Sequence, residues 1–455
     1  MKKQAFRWIA LVLALVMSLS LAACSSKQDT AANDTTGTPA ADTAADTQTP
    51  SASDDGANVV KIGLMLQLSG SSPADSEELL KGCQKIADII NNDMTYGIIN
   101  NETDYTLPLA ATAGLPNLNG AKIEIVVGDA ATNDAAMSEC QRLITEEGVA
   151  GFAGILGSSG VKVCATAFEK YGIPYVTNAS SPSLTTSGYE YLVRIFPDDS
   201  LYCRSMFEMI DEMNKEQAAG IKTIALCSED SEFGVNIDTI EADLAAEYGL
   251  ELVEHISYSA SATNVTSEVL KLKAADADVV MFSSYTADAI LFMQTFKEQN
   301  YYPKMLVGQR GGFSRTEMFQ TVPEAMQYVY NTCAWASDLD QPNVQMMCDL
   351  YQEVTGNPAQ EGPMRAMTDF YTLCLAINQA GSTDPDAIME QYRAGIEIPA
   401  DQKWIPVDVK IDENGQNLEA STLVLQAFDG VYKTVYPFDV ASTDYVYPVP
   451  GWSER

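Results

Sequence analysis

Histidine is almost missing from this 455-residue chain: His255 is the only one. It sits inside the strand-like run LVEHISY, so a structural or surface role is its plain reading, and chemistry that turns on an imidazole has almost nothing to use. Basic residues are scarce as well, 27 Lys and Arg against 62 Asp and Glu, for a formal net charge of −35. A surface of that sign repels a phosphate backbone, which excludes nucleic acid as a partner and favours solubility. Walker A, HExxH and GxSxG patterns are absent, and the many carboxylates single out no catalytic pair. Nine cysteines are present, but no two share a CxxC or Cys/His spacing, so no zinc signature exists and no disulfide pairing can be read. No enzyme, no cofactor and no metal are therefore expected.

What the chain does have begins at its N-terminus. Lys2, Lys3 and Arg7 precede an apolar run from Trp8 to Leu19, and small residues then lead to Cys24. This is the order of a secretory signal, with an apolar run too short for a comfortable membrane span. Leu21-Ala22-Ala23-Cys24 resembles the lipobox of bacterial lipoproteins. That resemblance implies a signal peptide over 1–23 and a lipid on Cys24 that anchors the protein outside the cytoplasm. Residues 25–58 are mostly Ala, Thr, Asp, Ser and Pro without an aromatic, a composition that cannot bury a core. Such a tether reaches about 30 Å.

From Val59 the pattern is α/β. VVKIGLML, AKIEIVVGDA, VAGFAGIL and IPYVT read as strands, separated by helices, one of which places Leu79, Leu80, Cys83, Ile86 and Ile90 on a single face. After YLVRIFPDDS the alternation restarts, with strands KTIALCS, LELVEHISY, ADVVMFSS and PKMLVGQ. Two doubly wound parallel sheets follow, with ligand binding expected at the carboxyl ends of their strands. The tail changes character: Asn414-Gly415 and Asp429-Gly430 are hairpin signals.

One such strand end carries GILGSSGVKV. Ser158 and Ser159 open a helix whose first N–H groups have no partner within the helix and carry its positive dipole end. From the residues alone they either receive an anion, or Ser159 merely caps the helix.

Together KIGLMLQLSG, GILGSSGVKV, YGIPYVTNASSPSLT, YLVRIFPDDS, CSEDSEFG and DVVMFSSYTADAILFMQTFKEQ resemble the solute-binding proteins of ABC transporters, in the branch of the leucine/isoleucine/valine-binding proteins. The resemblance runs from about Val59 to Ser421. It implies the type I periplasmic-binding fold: one lobe from 59–196 and 334–405, a second from 197–333 and 406–455, and three hinge strands near 194–197, 331–334 and 405–407. It also implies a monomer that closes on a small ligand, an amino acid or related organic acid, and presents it to a membrane permease. A ligand sensor for a signalling partner on the same fold is the alternative.

The resemblance places the ligand's carboxylate on Ser158 and Ser159, with Asn178, Ala179 and Ser180 beside it and Tyr285 facing it from the second lobe. Phe233 stands where amino-acid binders often have Tyr, which loses one polar contact. Arg310, in VGQRGGFS, stands where an acidic residue usually meets the ligand's α-ammonium. It either faces a second anionic group or turns away to Glu229 or Asp230, with Asp75 then free to hold an ammonium. Asn91–Gly120 is far longer than the family's usual connection, and a surface excursion is its plain reading. For the anchor, Cys24→Ala is expected to release the protein from the membrane fraction; a variant that still fractionates with membranes like wild type removes the lipobox reading.

Overall fold

The structure, a computed structural model, describes residues 58–454 except 71–72, 93–95, 98–103, 106–112, 261, 342, 397, 399–402 and 406–407. The signal, Cys24 and nearly all of the tether lie outside these residues, as does much of the 91–120 insertion. No helix among the described residues is long and apolar enough to cross a membrane.

The first sheet is wholly parallel. Its strands are β1 (Val59–Leu66), β2 (Lys122–Asp129), β3 (Phe152–Gly154), β4 (Tyr175–Thr177) and β5 (Leu192–Arg194), in the order β2-β1-β3-β4-β5. Burial on both faces explains their near-continuous apolar character. On one face pack α1 (Pro73–Asn92), which turns Leu79, Cys83, Ile86 and Ile90 inward, and two helices from much later in the chain, α8 (Val344–Thr355) and α9 (Glu361–Ala380). On the other face α2 (Asn133–Arg142) and α3 (Ser158–Tyr171) cover Met65, Phe152 and Tyr175.

The second sheet repeats the plan with β6 (Thr223–Glu229), β7 (Glu251–Tyr258), β8 (Val279–Ser283), β9 (Leu306–Gly308) and β10 (Tyr330–Cys333), all parallel. Helices α4 (Asp199–Gln217) and α5 (Glu232–Glu247) cover one face, and α6 (Thr266–Ala275) and α7 (Thr286–Glu298) the other. The tail adds an antiparallel hairpin, β11 (Leu423–Phe428) and β12 (Val431–Tyr436), whose turn is the predicted Asp429-Gly430 with both residues at positive φ. The full order is β12-β11-β10-β9-β8-β6-β7.

The third passage between the cores differs from the expected 405–407. Val409 and Ile411 still pack in the first core, and Asn417 donates to the Ile195 carbonyl at 3.0 Å, so the chain joins the second sheet only at Leu423. Arg194 fixes this region. It is fully buried and donates to Gln416 Oε1 (2.6 Å), Ser181 O (2.7 Å) and Thr185 Oγ1 (2.6 Å). Burial lowers its pKa, with Asp198 opposing that shift.

Gly154 ends β3 at φ 141°, and a Cβ there would lie 2.1 Å from the Met65 carbonyl oxygen. Only glycine lets the two strands approach so closely where the chain leaves the sheet for α3. Gly154→Ala is expected to cost at least about 3 kcal/mol in equilibrium urea unfolding, from the backbone conformation and the clash together; a loss below about 1 kcal/mol contradicts this account of the turn.

Candidate functional site

The carboxyl ends of β3 and β4 face those of β6, β8 and β9 across a cleft. An inner cavity of about 150 Å³ lies between them. Ser158, Asn178, Ala179 and Ser180 line it from the first sheet, and Phe233, Tyr285 and Arg310 from the second. Seven of the nine side chains expected at a ligand site thus converge. An outer cavity of about 1040 Å³ adjoins it, and Gly157, Ser158, Phe233, Tyr285 and Arg315 are among the residues that line both.

The GSSG turn resolves into a helix start without a side-chain cap. Gly157 is the N-cap of α3, at φ −66° and ψ 164°, and the first helical residue is Ser158. Ser158 Oγ is buried and accepts from Ser181 N at 3.3 Å. Ser159 neither caps the helix nor lines the inner cavity. Its hydroxyl donates to Glu232 Oε2 (3.3 Å), while Lys162 Nζ donates to Oε1 of the same carboxylate at 3.2 Å, so Ser159 links α3 to α5 across the cleft. Asn236 Nδ2 to Ser181 Oγ (2.9 Å) is a second such link.

Arg310 follows β9 at φ 54°, held by its N–H on Asn331 Oδ1 at 2.9 Å. Next to it, Gln309 donates to Glu241 Oε1 (2.7 Å) and accepts from Thr332 Oγ1 (2.6 Å). The Arg310 side chain is buried. Its Nη1 donates to Ser180 Oγ at 2.9 Å, its Nη2 pairs with Asp199, and its guanidinium lies 3.9 Å from the centre of the Tyr202 ring. It does not pair with Glu229 or Asp230: Glu229 instead accepts from Ser231 Oγ and Tyr285 N. Arg310 Nε is buried and finds no partner among the described residues.

Asp75 is not free for an ammonium. It pairs with Arg315, joining α1 to the second sheet's loops, and lines the outer cavity only. Phe233 and Tyr285 lie against each other, 5.5 Å between ring centres, with Tyr285 half exposed at the mouth.

Three charged residues that the sequence reading passed over also line the inner cavity: Arg315, Glu361 and Arg365. Arg365 Nη1 donates to Asn178 O at 2.9 Å, and its Nε meets Glu361 Oε1 at 2.6 Å. Burial works against the Arg365 charge, but the Glu361 carboxylate holds its pKa above the ordinary value. A Glu and an Arg four residues apart at the start of an otherwise apolar helix was the available signal. No group of three or more His, Cys, Asp or Glu among the described residues could hold a metal ion.

The profile of the periplasmic binding proteins matches residues 59–429. The chain belongs to this family. Its Leu/Ile/Val-binding branch supplies close kin: a Leu/Ile/Val-binding protein homolog 7 of Brucella abortus (strain 2308) is 31% identical over 340 residues, covering 70% of this chain and 82% of that protein. Among solved structures, the branched-chain amino acid transporter substrate-binding protein LivJ of Streptococcus pneumoniae, in complex with isoleucine, aligns at 19% identity with a TM-score of 0.68, over 82% of this chain and 97% of its own. A solute-binding protein of an ABC transporter from Rhodopseudomonas palustris BisB5, in complex with 3,4-dihydroxybenzoic acid, aligns at 16% identity with a TM-score of 0.67, over 88% and 100%. These establish the type I periplasmic-binding fold. The family's members are extracytoplasmic binding proteins, not enzymes, and this protein is one of them.

Glu241, which steadies the Gln309-Arg310 loop, is fully buried, and burial pushes its pKa up to about 8. A carboxyl protonated in the folded state and ionised in the unfolded one loses stability as pH rises from the ordinary carboxylate range to the folded pKa. Glu241→Gln is therefore expected to be nearly neutral at pH 5 and stabilising by about 3 kcal/mol at pH 8, read by urea unfolding at both values. An equal effect at both pH values contradicts the assignment.

Proposed function

We propose that the protein is the lipid-anchored, ligand-capturing component of an ABC importer. It takes a small carboxylate-bearing ligand, an amino acid or related organic acid, between its two lobes and passes it to a permease. The observation that carries this reading is the inner cavity itself. It lies where the strand ends of both sheets meet and is lined from both, so a ligand there contacts both lobes at once. Closure around a ligand is then favoured by every contact that only the closed form provides. The uncapped start of α3 supports a carboxylate as the group received, since the N–H groups of its first turn lack intrahelical partners. Ser158, Asn178, Ala179 and Ser180 then hold the carboxylate end. Phe233 and Tyr285 wall the cleft, Arg310 faces the ligand's second polar group, and Ser159 and Asp75 act at the lobe boundary.

A thermal-shift screen of amino acids, mono- and dicarboxylic acids, amines and sugars tests the ligand class. A carboxylic acid at 100 times its Kd is expected to add about 2.7 kcal/mol of stability. Ser158→Ala is expected to weaken that binding about tenfold, the loss of one hydrogen bond to a charged group. Stabilisation by sugars or amines but by no carboxylic acid rejects the proposal.

A further inference from the structure

Two hydroxyls of the inner cavity, those of Ser158 and Ser180, have hydrogens left to give. Ser158 Oγ already accepts from Ser181 N, and Ser180 Oγ already accepts from Arg310 Nη1. An oxygen that accepts from a neighbour has its own hydrogen left to give. Neither hydroxyl donates to any described partner, so each has a hydrogen to give toward the cavity and one lone pair to spare. Arg310 also lines the cavity, and its Nε–H, enclosed by the surrounding side chains, has no partner among the described residues. It cannot easily turn aside, because Asp199, Ser180 and the Tyr202 ring fix its guanidinium on three sides.

The charged side chains that face the cavity are one-sided as well, although each arginine has a carboxylate partner. Three guanidiniums line the inner cavity, those of Arg310, Arg315 and Arg365, against one carboxylate, Glu361. Glu361 is tied to Arg365 Nε and receives Ala334 N at 3.4 Å. Asp199 and Asp75 balance the other two arginines but do not line this cavity. An ammonium held here would face fixed cations and find no uncommitted carboxylate, in a space where charges are poorly screened.

We infer that the inner cavity selects a carboxylic acid lacking an α-ammonium group, such as a dicarboxylate or an oxo, hydroxy or aryl acid, over the α-amino acid of the same skeleton. This rests on the proposed carboxylate-binding function and sharpens it. An amino group, where a ligand has one, belongs at its far end. There the outer cavity is lined by Glu78, Glu229 and Glu317, whereas the inner one offers only Glu361.

The test is calorimetry on the wild-type protein with acids paired so that only the α-amino group differs. The pairs are 4-methylpentanoate with L-leucine, glutarate with L-glutamate, succinate with L-aspartate, and phenylacetate with L-phenylglycine. In the pair that binds most tightly, the acid without the amino group is expected to have at least a tenfold lower Kd. A Kd for the amino acid equal to or below that of its partner overturns this inference and leaves carboxylate binding standing. No binding by any of the eight overturns both. Arg310→Gln, chosen because a glutamate there would face Asp199, is expected to lower the affinity of the preferred acid at least tenfold and to reduce its preference over the amino acid. A folded variant with unchanged preference shows that Arg310 does not set it and overturns the inference. The wild-type panel decides the matter if the variant does not fold.

Discussion

The buried arginine at position 310 is the group on which the rest of the site depends. A guanidinium withdrawn from water must be matched by charge and hydrogen bonds, and here Asp199, Ser180 and the face of Tyr202 supply them. The matches come from two elements: Asp199 and Tyr202 from the first turn of α4, Ser180 from the loop after β4 on the opposite sheet. Satisfying one charge therefore draws a loop of the first sheet and a helix of the second to the same point. Asp199 N in turn donates to Ser180 O at 2.8 Å, which closes the cluster. The cluster forms one wall of the inner cavity.

A second arginine does the same for the backbone behind the site. Arg194 ties Ser181, Thr185 and Gln416 together, so the loop that carries Asn178 to Ser180 is held from beneath by a fully buried charge. Arg365 holds Asn178 from a third direction. The loop is short and polar, and without these anchors it would have few apolar contacts to order it. Three arginines fix one loop, and that loop with the start of α3 shapes the place where a ligand's charge would rest.

Much of this was legible in the residues. Alternating apolar runs and one-faced helices marked both sheets, because burial on both sides leaves strands no polar face. The polar break at Gly157-Ser158-Ser159-Gly160 marked the helix start, and Asp429-Gly430 marked the final hairpin. What local sequence cannot show is which distant group meets which. Arg310 stood out, but its partner Asp199 lies 111 residues away, beside an Asp198 that caps α4. Asp75 looked available for an ammonium because nothing near it in sequence is basic, yet the fold brings Arg315 to it. Glu361 and Arg365 were missed because their helix reads as an apolar core element until its first turn is seen at the cavity. The third passage between the sheets was placed too early because the family's hinge position was carried over. The small turn at Asn414-Gly415 keeps the chain on the first sheet, with Gly415 O accepting from Arg194 N at 2.8 Å.

The central claim is that a ligand bound in this cavity holds two lobes together. Small-angle X-ray scattering tests it most directly, on the free protein and on the protein saturated with the tightest acid from the calorimetric panel. The account predicts a smaller radius of gyration with ligand, converging on the value of a form in which Ser159 meets Glu232 and Arg315 meets Asp75. A ligand that binds tightly while the radius of gyration of the free protein stays unchanged, and larger than that of the closed form, would contradict it.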